Sequence, residues 1–310
     1  MSARIVGELA TRALLREIET WPKPGLVSLI DSGSHRDMDA ALLARSAQVL
    51  RPYFISLARA GTRCAPFATL QRIGRAAERA MLDATGGINT HRGAIFGLGL
   101  LCAAAGLSSA QTAGGIGQRT RASLGQLARR QWGTAIATRP TPDRAGNVSH
   151  GAIVQRRHGV GGARAEAAGG FATLYRVALP ALRQARRLAP GDANAARVHC
   201  CLALMAQLDD TNILFRGGSE GLALTRTLAQ AFIAHGGVGA PDWQARALHV
   251  HRALTRRALS PGGCADLLAM TLFVDDWVRW RRALRGRCTA RDAPDARDAH
   301  AMIQSTRVSV

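Results

Sequence analysis

An all-α fold follows from three features of this 310-residue chain. Aromatic side chains make up only 5% of it, while Ala, Leu, Gly and Arg dominate. That mixture suits close-packed helices and gives strands little of the β-branched and aromatic surface they need. Apolar residues recur at helical spacing along most of its length. At 47% hydrophobic, the chain can also fill one substantial core. The expectation is a single compact multi-helix domain over 1–284 with a central apolar helix, followed by a disordered tail over 285–310.

Residues 3–20 place Ile5, Leu9, Leu14, Leu15 and Ile18 near helical spacing, and Pro22 and Pro24 stop that helix. Residues 21–38 read as a loop. Asp37 or Asp39 can cap a second helix running to about Ala60, with Leu42, Leu43, Val49 and Leu50 facing inward. A third covers 67–85 before Gly86-Gly87 breaks the chain. Asn89 or Thr90 is positioned to cap the apolar helix from Ala94, which is too short to span a bilayer comfortably and so belongs in the core. Residues 133–150 carry Gly, Pro, Thr, Ser and Asn and read as a long loop. Helices are expected again over 161–188, bent or divided at Pro180, and over 193–208, 218–235, 242–258 and 261–280. Ser260 would cap the last of these, with Pro261 in its first position. Beyond Leu284 no apolar period remains.

The formal charge of +20 raises nucleic acid as a partner. The arginines are spread along every predicted helix with no interleaved aromatic platform, so no specific nucleic-acid contact is expected, and a small polyanion such as a nucleotide fits better. Six cysteines show neither a CxxC pair nor zinc spacing, consistent with reduced thiols in a cytoplasmic protein. Neither export signal nor membrane span is expected.

Of the 41 basic side chains only Lys23 is a lysine, in Trp21-Pro22-Lys23-Pro24-Gly25. A compact ammonium fits a crowded pocket that a planar guanidinium cannot enter, which makes Lys23 a phosphate-ligand candidate against the alternative of a leftover surface lysine. After it comes Gly33-Ser34-His35-Arg36-Asp37-Met38-Asp39. In the turn before a helix, Asp37 and Asp39 could converge on one Mg²⁺, or Asp39 could simply cap, and His35 could meet a phosphate or sugar. Asp209-Asp210-Thr211-Asn212 lies where a helix ends, so the two acids need a metal ion or Arg216 as compensation, and Arg216-Gly217-Gly218 resembles an anion-binding turn. Gly161-Gly162 opens a helix that could rest on phosphate beside Arg164, with Glu166 as a candidate base or ribose ligand or an ordinary first-turn acid. Asp266, among small and apolar residues, should be partly buried and need partners.

In order, PKPGLV from Pro22, GSHRDMD from Gly33, GGINTHRGAIFGLGLL from Gly86, the HG and GARAE elements from His150 to Glu166, DDTN with RGG from Asp209 to Gly218, and SPGGCADLLA from Ser260 resemble the triphosphoribosyl-dephospho-CoA synthase family over about residues 5–280. The resemblance implies an all-helical pentosyltransferase. It would join the 5-triphosphoribosyl group of ATP to the ribose 2′-hydroxyl of 3′-dephospho-CoA with release of adenine. The product, passed to an acyl-carrier-protein transferase, is a prosthetic-group precursor. Ser28 and Arg92, where citrate-lyase relatives commonly carry aspartate and lysine, lean toward the malonate decarboxylase branch. An inverted linkage implies direct displacement, with a carboxylate base for which Glu166 is nominated ahead of Asp209, and Asp266 as a further catalytic acid.

Lys23, Gly25, His35, Asn89, His91, Arg92, Arg164, Asn212, Arg216, Gly217 and Gly218 are then expected around the nucleotides. Asp37, Asp39, Asp209 and Asp210 are expected around Mg²⁺. A homodimer is compatible with the sequence. Read from the residues alone, a glycohydrolase that delivers water to the anomeric carbon and a non-enzymatic basic module that binds RNA or a carrier protein stay open.

Overall fold

The computed structural model describes residues 2–113, 122–138 and 150–291, and among them the regular structure is helical throughout. The first helices are α1 (Ala3–Ile18), α2 (Ala40–Thr62), α3 (Phe67–Ala84) and α4 (Arg92–Ala113). Next come α5 (Leu124–Ala137), α6 (His150–His158), α7 (Gly162–Ala168), α8 (Leu179–Leu188) and α9 (Ala193–Met205). Then α10 (Thr211–Ala234), α11 (Trp243–Thr255) and α12 (Gly262–Arg291) complete the series, with a π-helical turn at Leu174–Ala178 and a 3₁₀ turn at Gly237–Gly239.

The unit up to Val274 is built around α4. Ala94, Ile95, Leu98 and Leu101 through Ala105 are buried, as a helix apolar on every side requires. By length and composition this helix could cross a membrane, but it is mostly buried inside the protein. It packs closely on α2 because glycines stand at the crossing: a Cβ on Gly61 would collide with the Ala103 carbonyl, and one on Gly106 with that of Ala58. The α1 helix lies against α2, α5 against α4 and α7, and α9 between α8 and α10. The second unit begins at Asp275 within α12. Trp277 stacks on Trp280 there at 6.2 Å, and the Arg281 guanidinium sits 5.7 Å from the Trp277 ring.

Four expectations change. Residues 133–137 belong to α5, whose Ser123–Gln126 capping box and buried Leu124, Leu127, Trp132 and Ile136 form an amphipathic helix despite Gly133; residues 139–149 of the expected loop lie outside the described residues. The run 161–188 is interrupted at Gly169-Gly170, where Phe171 adopts φ 62°, and it also divides beside Pro180, where the π-helical turn Leu174–Ala178 gives way to α8 as expected of a residue that lacks the N–H of a regular helix. The α10 helix begins at Thr211 and kinks at Gly218, so the RGG sequence is the end of a first helical segment. The α12 helix runs to Arg291, beyond Leu284, and the rest of the expected tail, 292–310, lies outside the described residues.

Candidate active site

The inward stripe of α1 is Leu9, Ala10, Ala13, Leu14 and Ile18, and Glu17 falls on it because 17 is three residues from 14. A carboxylate there needs a partner. The chain leaves α1, turns at Trp21-Pro22, and returns Lys23, whose Nζ donates to Glu17 Oε1 at 2.5 Å and to the Glu17 carbonyl at 2.8 Å. Their side chains are only 1% and 8% exposed. The pocket is crowded as expected of a site that takes lysine alone, and the ammonium in it meets a carboxylate. One small charge serves both a carboxylate and an end carbonyl of α1, which a guanidinium fork would not reach together. Burial pushes the Glu17 carboxyl up, and Lys23 pulls it partly back.

Three helices start around this pair's neighbours. Asp210 precedes α10 and caps it, Oδ1 accepting from Asn212 N at 2.8 Å and Ile213 N at 3.3 Å. Its Oδ2 accepts from Cys264 N at 2.8 Å, so the same carboxylate also caps α12. Asp266, one turn into α12, accepts from the Ala94 N–H at the start of α4. Gly93 is required at that contact, since a Cβ there would overlap the Asp266 carboxylate. Burial, and then the Asp210 and Glu17 charges, hold the Asp266 carboxyl well above the usual carboxylate range; burial also raises Asp210. Two acids aimed at helix N-termini are favoured by the macrodipoles and disfavoured by each other and by desolvation.

His91 closes the cluster from the α4 side. Asn89 caps this helix, its Oδ1 accepting from Arg92 N at 3.1 Å. The buried His91 ring places Nδ1 2.9 Å from Ser46 Oγ, which also meets Thr90 Oγ1 at 2.7 Å. Its Nε2 has no hydrogen-bond partner among the described residues. Burial and the Lys23 charge lower its pKa to about 4, so the ring is neutral at neutral pH.

An outer rim lies where the 21–38 loop packs on the segment before α12. Gly25 (φ 69°) has no room for a Cβ beneath the Leu259 carbonyl, and Ser34 Oγ donates to that carbonyl at 2.7 Å. His35 Nε2 lies 2.8 Å from Ser260 Oγ, and its Nδ1 3.4 Å from Asp37 Oδ1. Ser260 is therefore engaged by His35, and Asp210 performs the capping expected of it. Arg216 donates to the Ala258 and Ser34 carbonyls at 3.1 and 3.3 Å and reaches His35. Gly217 gives Leu259 room, and the Asn212 amide lies against Gly262. His251, which the sequence did not single out, braces the loop between the Lys23 carbonyl at 3.2 Å and Asp31 at 3.4 Å.

The other candidates are engaged by partners outside the buried cluster. Both Glu166 oxygens are engaged by Thr173, Oε1 by its N–H at 2.7 Å and Oε2 by its hydroxyl at 3.0 Å. Arg164 donates to the Ile136 and Thr138 carbonyls. Arg92 lies 3.4 Å from Glu78. Asp209 is exposed and paired with Arg226 at 2.8 Å, which corrects the expectation that Arg216 would compensate it. Asp39 caps α2 through Leu42 N.

Asp39, Asp209 and Asp210 thus each serve a different protein partner, while Asp37 lies on the exposed rim. Among the described residues no three His, Cys, Asp or Glu side chains are grouped to hold a metal ion. The four aspartates do not fit a resident metal centre.

Comparison with known proteins agrees with the motif order. The model of a family described as ATP:dephospho-CoA triphosphoribosyl transferase matches residues 3–284. A probable 2-(5''-triphosphoribosyl)-3'-dephosphocoenzyme-A synthase of Azotobacter vinelandii is 42% identical over 273 residues, covering 86% of this chain and 89% of the relative. A protein of Pectobacterium atrosepticum named 2-(5''-triphosphoribosyl)-3'-dephosphocoenzyme-A synthase is 42% identical over 277 residues, covering 86% and 87%. No solved structure matches.

Proposed function

We propose, because this chain belongs to the ATP:dephospho-CoA triphosphoribosyl transferase family, that its product feeds the prosthetic group of a malonate decarboxylase acyl-carrier protein through a dedicated transferase. The enzyme itself is a pentosyltransferase that uses ATP and dephospho-CoA. Support for the malonate branch comes from position 28. The buried Ser28 hydroxyl accepts from Ile30 N at 3.2 Å and Asp31 N at 3.3 Å and donates to the Asp31 carbonyl at 3.4 Å, the last a bond that a carboxylate has no proton to make. Deleting the gene in the source bacterium should abolish growth on malonate; loss of citrate fermentation with malonate growth intact would overturn the assignment.

The observation that carries the site reading is convergence: Glu17 with Lys23, His91, Asp210 and Asp266 come from four separate stretches of chain into one polar cluster around the starts of α4, α10 and α12. The helix N-termini on the floor are already held by the Asp210 and Asp266 carboxylates, and the rim offers the Arg216 cation beside His35, so polyphosphate lies at the rim with the sugar toward the floor. Mg²⁺ enters on the triphosphate as part of the substrate, since an ion of this kind is commonly held by one or two carboxylates plus phosphate oxygens.

Of the three candidate acids, the geometry favours Asp266 over Glu166 and Asp209 as the base. Glu166 is tied to Thr173 and Asp209 to Arg226, while Asp266 stands half-buried at the α4 start. A carboxylate made more basic by burial can take the proton of the attacking hydroxyl. As the 2′-oxygen bonds to C1′, the C1′–N9 bond breaks and its electron pair leaves with adenine, which takes up one proton from solvent as Asp266 gives up the proton of the hydroxyl. Incubation with ATP, dephospho-CoA and Mg²⁺ should yield adenine and a joined nucleotide by mass; adenine with free triphosphoribose would mean hydrolysis instead.

A further inference from the structure

We infer that His91 reads a ribose hydroxyl of ATP: the imidazole Nε2, buried just before α4 and without a partner among the described residues, forms a hydrogen bond with that hydroxyl and makes the enzyme discriminate against a deoxynucleotide. This rests on the reading of the floor as the place where the sugar lies.

The unpartnered atom is the starting point. His91 is 5% exposed, its Nδ1 is engaged by Ser46, and among the described residues its Nε2 has no hydrogen-bond partner. A buried polar atom left unsatisfied costs about 1–3 kcal/mol, and native structures keep few of them except where something else fills the bond. The ring belongs to the residue just before a 22-residue helix, so whatever fills the bond lies at that helix's N-terminus.

The chemistry of the surroundings selects a neutral group over an anion. The α4 terminus already has a carboxylate, because Asp266 accepts from Ala94 N–H. The imidazole is uncharged and contributes no attraction to a phosphate. Ser46 can donate to Nδ1 or accept from it, since its hydroxyl is shared with Thr90, and Nε2 is accordingly a donor or an acceptor. A hydroxyl satisfies either form, whereas a phosphate oxygen satisfies only the donor. Among the groups of ATP, the ribose hydroxyls are neutral and both give and accept.

The test compares kcat/KM for ATP, 2′-deoxy-ATP and 3′-deoxy-ATP, with dephospho-CoA and Mg²⁺ present, in wild type, His91→Gln and His91→Phe. The intrinsic lability of a deoxy-sugar bond cancels when each variant's ratio is divided by the wild-type ratio. A site built around a hydroxyl should favour ATP over one deoxy analogue by about 100-fold or more. His91→Phe should shrink that preference to about fivefold or less, through loss on ATP, and His91→Gln should keep part of it. A preference unchanged in the folded variants would mean that Nε2 serves only a bound water, and the inference would be overturned. So would a preference that moves only with altered purine bases.

If His91→Phe does not fold, the ¹⁵Nε2 resonance of His91 in the wild type decides. It should shift with ATP and not with the discriminated deoxy analogue, and equal shifts overturn the inference. Failure of the wild type to join ATP to dephospho-CoA would instead break the underlying reading, which separates the two.

Discussion

Asp209 and Asp210 are adjacent in sequence and opposite in circumstance. Asp209 points outward to Arg226, its side chain 53% exposed, while Asp210 is 2% exposed and holds three backbone N–H groups at the starts of two helices. The same contrast separates the rim of the site, with Asp37 and Arg216, from its floor, with Glu17, Lys23, His91 and Asp266. On the rim, charges are solvated and their pairs contribute little. On the floor the charges are largely withdrawn from water and depend on named partners. The difference teaches where stability is concentrated: an exposed ion pair can be exchanged with modest effect on folding, and the buried Glu17–Lys23 pair cannot.

The largest expected effect follows from Lys23→Met, which leaves the Glu17 carboxylate buried without its cation. Denaturant unfolding should show a loss of about 3–5 kcal/mol, recovered in large part by Glu17→Leu in the same chain. A loss below about 1 kcal/mol would place this pair with the rim.

Asp266→Asn should lower kcat about 10²–10³-fold with little change in fold. It should also raise the melting temperature at neutral pH. The folded state raises the pKa of this carboxyl, so its stabilising contribution is complete below the unfolded value and is lost as pH rises through the folded one. An uncharged amide escapes that loss, and a stabler, inactive variant separates a catalytic role from a structural one.

His91 carries the opposite sign. With its pKa lowered to about 4, its contribution is present above the ordinary value near 6.5 and is lost as pH falls toward 4. The wild type should lose about 3 kcal/mol from this group across that window, and His91→Gln should flatten this part of the melting-temperature profile.

At the small end, Asp39→Ala should cost about 1 kcal/mol through the lost cap of α2, and Asp209→Asn less than about 1 kcal/mol. If Asp209→Asn instead abolished adenine release in a folded protein, the division between rim and floor would fail.

Much of the floor was legible residue by residue. The lone lysine marked Lys23, the flanking glycines and apolar residues marked Asp266, and DDTN marked Asp210. Glu17 was missed, although its place three residues after Leu14 and six before Lys23 put it on the buried stripe of α1; an acid on an inward stripe was the available signal. The partners were less legible than the residues. Asp210 looked like an uncompensated acid at a helix end because the start of α10 was expected seven residues later, at 218, and a carboxylate changes from disfavoured to favoured when the helix beside it begins rather than ends. Glu166 looked like a base because nothing local announced the Thr173 bonds that engage both its oxygens.

Composition and apolar spacing determined the helical class, the central position of α4 and most helix boundaries, because those depend on interactions within a few turns of one segment. The ordered motif blocks determined the family. Only the tertiary structure decided that Asp210 caps two helices, that Lys23 turns inward to Glu17, and that Asp266 rests on Gly93. Each of these joins stretches of chain whose meeting depends on how the helices pack, and desolvation, which sets the strength of every charge on the floor, exists only once they have met.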